Sequence, residues 1–184
     1  MRNDDICYMT ATEALALFRR RKLSPVELVK ALVARAEKVN PAINCLADRY
    51  FDDALVQARA AEARHMRRGG SDLPLEGIPL AVKDAQRVAG RRTTHGSLIF
   101  KDSVDDHSDP MIERLQQAGA IILARTTTPE FCLSGVTNSR IWGITRNPWN
   151  TDWGPGGSSG GSGAALAAGL APLATGTDIG GSIR

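Results

Sequence analysis

Apolar residues in the first part of the chain recur at helical spacing, and two of these segments begin with a capping signal. Residues 10–13 (TATE) have the spacing of a capping box, and the apolar residues Leu15 and Phe18 follow it. Residues 24–27 (SPVE) place serine at the N-cap, proline at N1 and glutamate at N3. We therefore predict a helix after each signal.

The ends of these helices carry signals of their own. The basic run at 19–22 is expected to close the first helix, because cations stabilise the negative end of the helix dipole. The second helix keeps apolar residues at helical spacing, namely Val26, Val29, Val33 and Ala36. We expect the proline of residues 40–41 to stop it. A third helix is predicted from about Asp52 to Met66, with the glycines at 69–70 marking its end.

The pattern changes in the second part of the chain to short apolar runs with glycine between elements. Residues 79–83 and 120–124 are typical of buried strands, and residues 111–118 are typical of a helix. A single glycine joins that helix to the strand after it, which is a unit of α/β architecture. A further strand is predicted at 172–176. The fold class is therefore α/β, with a helical N-terminal region followed by a mixed sheet.

The composition favours a globular protein and gives little support to a nucleic-acid partner. Apolar residues make up 42% of the 184 positions and charged residues 23%, which excludes a disordered or collagen-like chain. The net charge of +3 is mild, and aromatics are only 5% and do not interleave with the basic runs. We expect no nucleic acid and interpret the basic run at 19–22 as a solvated helix end.

Cysteine and histidine spacing predicts neither a disulfide framework nor a metal site. Three cysteines lie far apart at Cys7, Cys45 and Cys132, and the three histidines show no ligand spacing. We expect buried or idle thiols, no cofactor and no metal. Apolar runs are too short for a membrane span, and residues 1–9 lack the apolar core of a signal peptide. The expected location is the cytoplasm, with no membrane contact.

Two glycine-rich segments near the C-terminus are candidates for a site. Residues 156–163 (GGSSGGSG) precede a run of helix formers at 164–170, so that backbone amides could converge at a helix start. A phosphate loop is excluded, because no Gly-Lys-Ser/Thr sequence ends the segment. Residues 176–182 place two glycines before Ser182, which permits a tight turn whose amides face one point. Such a turn can form an oxyanion hole with the serine at its rim.

A serine nucleophile needs a base, and Lys83 is the best candidate. No histidine lies in a suitable context, whereas Lys83 ends the apolar run at 78–82 and should be drawn into the interior. Burial lowers the pKa of a lysine, so the amine can be neutral near pH 7. Serine and lysine together are a variant of the catalytic triad.

Three strings resemble the amidase signature family. They are GIPLAVKD at 77–84, WGITRNPWN at 142–150 and the whole run from 156 to 184. The similarity covers most of residues 75–184, and its order and length argue against a chance match. The resemblance implies hydrolysis or transfer at a carboxamide carbon of a small-molecule amide.

The family resemblance also implies roles for individual residues. Ser182 is the nucleophile, Ser158 is the bridging serine after a cis peptide bond with Gly157, and Lys83 is the base. The oxyanion hole is formed by the amides of Ile179, Gly180, Gly181 and Ser182. Three further residues are interpreted as supports of the turn rather than participants in the chemistry, namely Ser159, Thr177 and Asp178.

The resemblance implies that residues 1–184 are the N-terminal part of a single amidase-signature domain. Residues 1–70 form its helical region, and residues 71–184 form an α/β core that is truncated after the nucleophile. Family members are longer, so the downstream strands are absent here. An open sheet edge favours self-association, and we expect a homo-oligomer without useful turnover.

Two alternatives stay open. One is the amidase subunit of a glutamine-dependent tRNA amidotransferase. That branch usually has Ser-Asp-Thr before Gly-Gly-Ser, whereas residues 177–179 are Thr-Asp-Ile and resemble the free-standing amidases. The other alternative is an inactive fragment that acts only by association. The sequence does not choose among fatty, aryl and small aliphatic amides.

Overall fold

The computed structural model describes residues 3–67 and 70–184 as six helices, six strands and two short 3₁₀ turns. The helices are α1 (Asn3–Cys7), α2 (Ala11–Arg19), α3 (Pro25–Ile43), α4 (Phe51–Met66), α5 (Pro110–Gln117) and α6 (Gly160–Ala167). The strands are β1 (Leu46–Arg49), β2 (Pro79–Lys83), β3 (Ile121–Thr126), β4 (Asn138–Ser139), β5 (Gly143–Ile144) and β6 (Leu173–Ala174). The 3₁₀ turns are Leu98–Phe100 and Glu130–Cys132. Helices thus dominate the first part of the chain and a sheet organises the second, which confirms the predicted α/β class.

The main sheet has four strands in the order β1-β3-β2-β6. Strands β2, β3 and β6 run parallel, and β1 pairs antiparallel with β3, so the sheet is mixed. Every residue of β2 and β3 is buried. This is expected for central parallel strands that are covered on both faces. The three strands predicted in the second part of the chain are confirmed.

Both predicted capping boxes are present. The side chains of Thr10 and Ser24 each accept a hydrogen bond from the N3 backbone, and Glu13 and Glu27 reach back to the N-cap amides. These local contacts explain why α2 and α3 begin where the sequence predicts. The predicted third helix is α4, but Gly69, one of the two glycines predicted to mark its end, lies outside the described residues.

The expected stop of the second helix at residues 40–41 is wrong, because α3 continues through Pro41 to Ile43. The Asn40 side chain explains the later end. Its Oδ1 accepts hydrogen bonds from the amides of Cys45 and Leu46, both at 2.9 Å. A proline in the last turn removes one helical hydrogen bond, and burial of Ile43 and this side-chain cap outweigh that loss.

The core has three parts, which lie on both faces of the sheet. Helices α1 to α4 pack on one part, around residues such as Phe18, Leu32 and Leu123. A second part joins β1 to the alanines of α6, and a third part places Ile112 of α5 against β2 and β3. No helix in the described ranges is long and apolar enough to cross a membrane.

Glycine is required where α6 meets the sheet. A Cβ atom added at Gly161 would lie 2.5 Å from the backbone nitrogen of Thr127, closer than real contacts allow. One at Gly157 would lie 2.7 Å from the carbonyl oxygen of Ser134. Gly157 and Gly161 therefore let the chain at the start of α6 approach its neighbours closely.

Candidate active site

Lys83 ends the central strand β2 and is wholly buried. Its Nζ lies 2.7 Å from Ser158 Oγ, 3.0 Å from Ser159 Oγ and 2.7 Å from Thr177 Oγ1. The strand thus brings an amine to three hydroxyl groups from two segments that are far away in sequence. Both serines belong to the start of α6, and Thr177 belongs to the loop after β6.

Burial lowers the pKa of Lys83 below its ordinary value. The thiol of Cys132 and the carboxylate of Asp178 act in the opposite direction and favour the ammonium form. Burial is the largest effect, so the neutral amine is easier to form here than in water. A neutral amine has a lone pair and can accept a proton.

The direction of one hydrogen bond at Lys83 is fixed by its neighbours. Ser159 Oγ donates to the carbonyl oxygen of Thr177 at 3.1 Å and accepts from the amide of Thr177 at 3.2 Å. A hydroxyl has one proton to donate, so Ser159 can only accept from Lys83. The lone pair of a neutral Lys83 is then left for the hydroxyl of Ser158 or of Thr177.

Ser158 is wholly buried and follows a cis peptide bond with Gly157, as predicted. Its carbonyl oxygen accepts a hydrogen bond from Thr128 Oγ1 at 3.1 Å. Thr128 follows the end of β3, so the strand next to Lys83 also holds the backbone of Ser158. Lys83 and Ser158 are therefore both anchored to the central sheet.

The turn before Ser182 is organised by Asp178. Its carboxylate accepts from the amides of Gly181, Ile183 and Arg184 at 2.7, 3.1 and 3.0 Å. The Arg184 guanidinium also contacts it and, with these amides, holds the pKa of Asp178 well below its usual range. The structure thus places Asp178 as a support of the turn, as the sequence predicts.

One of the four amides predicted for the oxyanion hole has an acceptor within the chain in this structure. The amide of Gly181 donates to Asp178 Oδ1 at 2.7 Å, so this donor is already used. The cause is a side-chain-to-backbone turn, in which an aspartate accepts from amides a few residues ahead. Within the described ranges, the amides of Ile179, Gly180 and Ser182 have no acceptor.

The structure brings Lys83 and Ser158 together but does not complete the contact to Ser182. The amide of Ser159 donates to the carbonyl oxygen of Ser182 at 3.0 Å, which holds this backbone beside α6. In the part of the chain that the structure describes, no hydrogen bond joins the Ser182 hydroxyl to Ser158. Ser182 is partly exposed and lines the same cavity as Gly157 and Thr177.

That cavity has a volume of about 490 Å³. Its apolar wall consists of Phe131, Leu133 and Ile179, and Cys132 also lines it. As far as the structure describes the chain, no charged residue lines this cavity. The expectation of buried or idle thiols holds for the burial of Cys7 and Cys45, whereas Cys132 is partly exposed at the cavity.

Sequence reasoning missed the direct contacts of Ser159 and Thr177 with Lys83, because it assigned both residues to support of the turn alone. Each has a hydroxyl group beside a predicted site residue, since Ser159 follows Ser158 and Thr177 precedes Asp178. The serines and threonines that recur in the two glycine-rich segments were the signal that could have indicated these contacts. No group of three metal-binding side chains occurs within residues 3–67 and 70–184.

A buried lysine at the end of a central strand of the mixed sheet thus contacts the hydroxyl groups of two serines and a threonine. The Amidase family model matches residues 27–184, and the chain belongs to this family.

Curated proteins with a similar sequence include the A subunits of glutamyl-tRNA(Gln) amidotransferases. The chain is 44% identical over 175 residues to an amidotransferase subunit of this name from Methylococcus capsulatus, covering 95% of this chain and 36% of that protein. It is also 44% identical over 164 residues to the corresponding protein from Azotobacter vinelandii, covering 89% of this chain and 34% of that protein. The chain thus spans about a third of the length of these curated relatives.

Solved structures with a similar fold include enzymes that are not named as amidotransferases. A fatty acid amide hydrolase has a TM-score of 0.94 at 30% identity, covering 99% of this chain and 32% of that structure. A bacterial aryl acylamidase of the amidase signature family has a TM-score of 0.90 at 32% identity, covering 96% and 37%. The fold of this chain is therefore the corresponding part of the amidase-signature fold.

Proposed function

We propose that this chain carries the nucleophile and the base of an amidase, which cleaves a carboxamide bond through an acyl-enzyme on Ser182. In this proposal residues 1–184 are the N-terminal part of one catalytic domain, and further chain completes the acyl pocket. Ser158 is the bridging serine and Lys83 is the base. The substrate is a small-molecule amide.

The proposed reaction begins with two proton transfers. Neutral Lys83 takes the hydroxyl proton of Ser158 while Ser158 takes the hydroxyl proton of Ser182. The Ser182 oxygen forms a bond to the amide carbon, and the carbonyl electron pair moves to oxygen. The electron pair on oxygen then re-forms the carbonyl as the C–N bond breaks, and the proton returns from Lys83 through Ser158 to the leaving nitrogen. Water repeats the sequence to release the acid and free Ser182.

The negative oxygen of the intermediate needs donors, and the turn at 176–182 can supply them. The amides of Ile179, Gly180 and Ser182 are the donors we assign to this role. The amide of Gly181 would join them only if its bond to Asp178 were exchanged for one to the substrate. Preorganised donors of this kind contribute about 3–4 kcal/mol each to the transition state in acyl transfer.

The observation that supports the proposal most is the 2.7 Å contact between Lys83 Nζ and Ser158 Oγ, made by a lysine with no exposed surface. A surface lysine would be charged at neutral pH and could not act as a base. The fixed direction of the Ser159 hydroxyl adds to this support, since it leaves the lone pair of Lys83 for a different hydroxyl group.

The test is covalent labelling of the full-length protein that contains this chain. A fluorophosphonate should add its mass to wild type, and Ser182→Ala should abolish the adduct, because no other group can replace a nucleophile. Ser134→Ala is the matched control, since Ser134 lines the same cavity and is exposed. It should label as wild type does. Labelling that survives Ser182→Ala would remove Ser182 from the proposed role.

A second candidate function is favoured by the names of the curated relatives. At 41–44% identity they are subunits of glutamyl-tRNA(Gln) amidotransferases. In that case Ser182 would release ammonia from glutamine, and partner subunits would be required. The same triad would serve both functions, so the site geometry does not separate them.

Substrate and partner dependence separates the two candidates. The full-length protein alone should form a hydroxamate from a simple amide and hydroxylamine if it is a free-standing amidase. Glutamine hydrolysis that requires copurified partner subunits and is stimulated by glutamyl-tRNA would favour the amidotransferase function. A third outcome, with neither activity but self-association in sedimentation, would favour a chain that acts only by association.

A further inference from the structure

The short parallel ladder between strands β2 and β6 ends on a side chain. Ala81 of β2 pairs with Ala174 of β6, and the amide of Thr175 donates to the carbonyl oxygen of Ala81 at 2.9 Å. In a regular parallel ladder the next bond would run from the Lys83 amide to the Thr175 carbonyl oxygen. The Lys83 amide donates instead to the side-chain oxygen, Thr175 Oγ1, at 2.9 Å. A hydroxyl group thus takes the place of the backbone at the end of the strand that carries Lys83.

The hydroxyl of Thr175 is buried, and its hydrogen-bond roles are fixed by its partners. An amide can only donate, so Thr175 Oγ1 accepts from Lys83 and keeps one proton of its own. That proton is donated to Gln86 Oε1. Gln86 is held in place because its amide donates to the carbonyl oxygen of Lys83 at 3.1 Å. The backbone of Lys83 is therefore linked to one threonine side chain directly through its amide and, through Gln86, at its carbonyl oxygen.

Helix α6 binds the carbonyl oxygen of Thr175. Ser162 Oγ donates to this oxygen at 2.7 Å. Ser162 has then used its proton, so Thr126 Oγ1, which lies 2.7 Å away, donates to Ser162. Thr126 is the last residue of β3 and pairs with Lys83 in the sheet. Buried hydroxyl groups thus join α6 to the ends of β3 and β6, and the hydroxyl of Thr175 joins β6 to the end of β2.

Thr175 begins the loop that leads to the proposed nucleophile. Only Gly176 separates it from Thr177, whose Oγ1 lies 2.7 Å from Lys83 Nζ, and the turn before Ser182 follows. The position of Thr175 therefore limits where Thr177 can lie. Thr175 is not among the described residues that line the cavity beside Ser182. Its hydroxyl therefore acts on the backbone around the site and not on a substrate.

A second buried threonine shows what distinguishes Thr175. Thr145 Oγ1 donates to the carbonyl oxygen of Asn44 at 2.8 Å and lies 2.6 Å from Thr127 Oγ1. Neither partner is a proposed site residue, so this hydroxyl serves the stability of the fold. The hydroxyl of Thr175 also has two partners, but one of them is the backbone of Lys83.

We propose that Thr175 is a positioning residue, whose hydroxyl sets Lys83 against the loop that carries Thr177 and Ser182. The inference rests on the proposed roles of Lys83 and Ser182 in the amidase reaction. Without the hydroxyl, the Lys83 amide and Gln86 Oε1 would lose a buried partner, and the strand end and the loop would move to satisfy them. A displacement of about 1 Å between reacting groups lowers the rate about a hundredfold.

The test is the rate at which a fluorophosphonate labels the full-length protein that contains this chain. Thr175→Val removes the hydroxyl and should lower the maximal labelling rate about 10- to 100-fold. The half-saturating probe concentration should stay within about twofold of wild type, because Thr175 does not line the cavity. Thr175→Ser retains the hydroxyl and should recover most of the rate. Thr145→Val is the matched control, and it should lower the free energy of unfolding but label at the wild-type rate.

Ser162→Ala decides the question if Thr175→Val does not fold. Alanine is a good helix former, and this change frees the carbonyl oxygen of Thr175 without removing a contact of Lys83. Its maximal labelling rate should fall about 10-fold. A folded Thr175→Val, or in its place Ser162→Ala, that labels as fast as wild type would overturn the inference. An equal loss of rate in Thr145→Val would do the same. Absence of any adduct in the wild-type protein would instead overturn the proposed function, and the inference with it.

Discussion

The amide of Ser159 donates to the carbonyl oxygen of Ser182 at 3.0 Å, while the hydroxyl of Ser159 lies 3.0 Å from Lys83 Nζ. One residue therefore contacts both the backbone of the proposed nucleophile and the proposed base. A displacement of a catalytic group by about 1 Å lowers the reaction rate about a hundredfold, so this double contact matters for the alignment of the two proposed catalytic residues. A shift at the start of α6 would move both groups relative to a substrate.

Replacement of the proposed base should change the pH dependence of the reaction. The pKa of Lys83 is lowered by burial, so acylation of the full-length protein should rise with pH and level off below the ordinary lysine value of about 10.4. As pH falls, Lys83 gains a proton and the rate falls. Lys83→Ala should remove this plateau and leave weak activity that rises with hydroxide concentration.

Stopped-flow measurement of acylation across the pH range checks this expectation. Lys101→Ala is the control, because Lys101 is exposed, and it should keep the wild-type profile. An unchanged profile in Lys83→Ala would exclude Lys83 as the base.

Loss of the Thr177 hydroxyl should slow acylation without changing the fold. Thr177→Val keeps the shape of the side chain but removes the oxygen that lies 2.7 Å from Lys83 Nζ. The amine would lose one of its three partners and become less well oriented, and we expect a loss of about 10- to 100-fold in kcat. Thr177→Ser retains the oxygen and should recover most of the rate. Equal rates for the valine and serine variants would argue against an orienting role.

Stability should depend sharply on which glycine of α6 is replaced. Gly161→Ala puts a Cβ 2.5 Å from the Thr127 backbone and should lower the free energy of unfolding by about 1–3 kcal/mol or more. Gly163→Ala meets nothing within 4 Å and should raise it by about 1 kcal/mol through helix propensity. Urea unfolding of the two variants gives both values. A destabilised Gly163→Ala together with a neutral Gly161→Ala would contradict the described packing of α6.

The 184-residue chain expressed alone should not turn over amides at an ordinary enzymatic rate. The apolar side chains beside Ser182 lack cover, since Ile179 is 98% exposed and Ile183 is 65% exposed. A site with an open wall cannot exclude water or hold an acyl group in place. Hydrolysis of an anilide and of a simple aliphatic amide, with sedimentation for the oligomeric state, tests this. A monomer with ordinary turnover would show that the remaining length of the relatives is dispensable.

Local signals predicted the starts of helices, but contacts between distant segments set other features. The capping boxes at Thr10 and Ser24 act within four residues, so the sequence shows them directly. The end of α3 depends on Asn40, whose side chain reaches forward to a strand that the sequence did not predict. That strand, β1, has the mixed sequence LADR and owes its conformation to pairing with β3.

The candidate site, like the fold, could be predicted from the sequence only in part. Lys83 and Ser158 are 75 residues apart. An apolar strand that ends in lysine indicated Lys83, whereas Ser158 followed only from the family resemblance. The acceptor of the Gly181 amide could not be predicted, because it depends on the orientation of the Asp178 side chain. The direction of the Ser159 hydroxyl could not be predicted either, because it depends on two hydrogen bonds with the backbone of Thr177.

The pairing of β1 with β3 has a consequence for cleavage of the chain. Strand β1 belongs to the first 70 residues, and it covers the side of β3 that β2 leaves open. Severing the chain between α4 and β2 would not release two self-sufficient pieces, because the ladder between Leu46 and Thr126 crosses the cut. The helical region and the α/β core thus share one β-ladder, and we expect a disturbance of the helices to reach β3, beside the strand that carries Lys83.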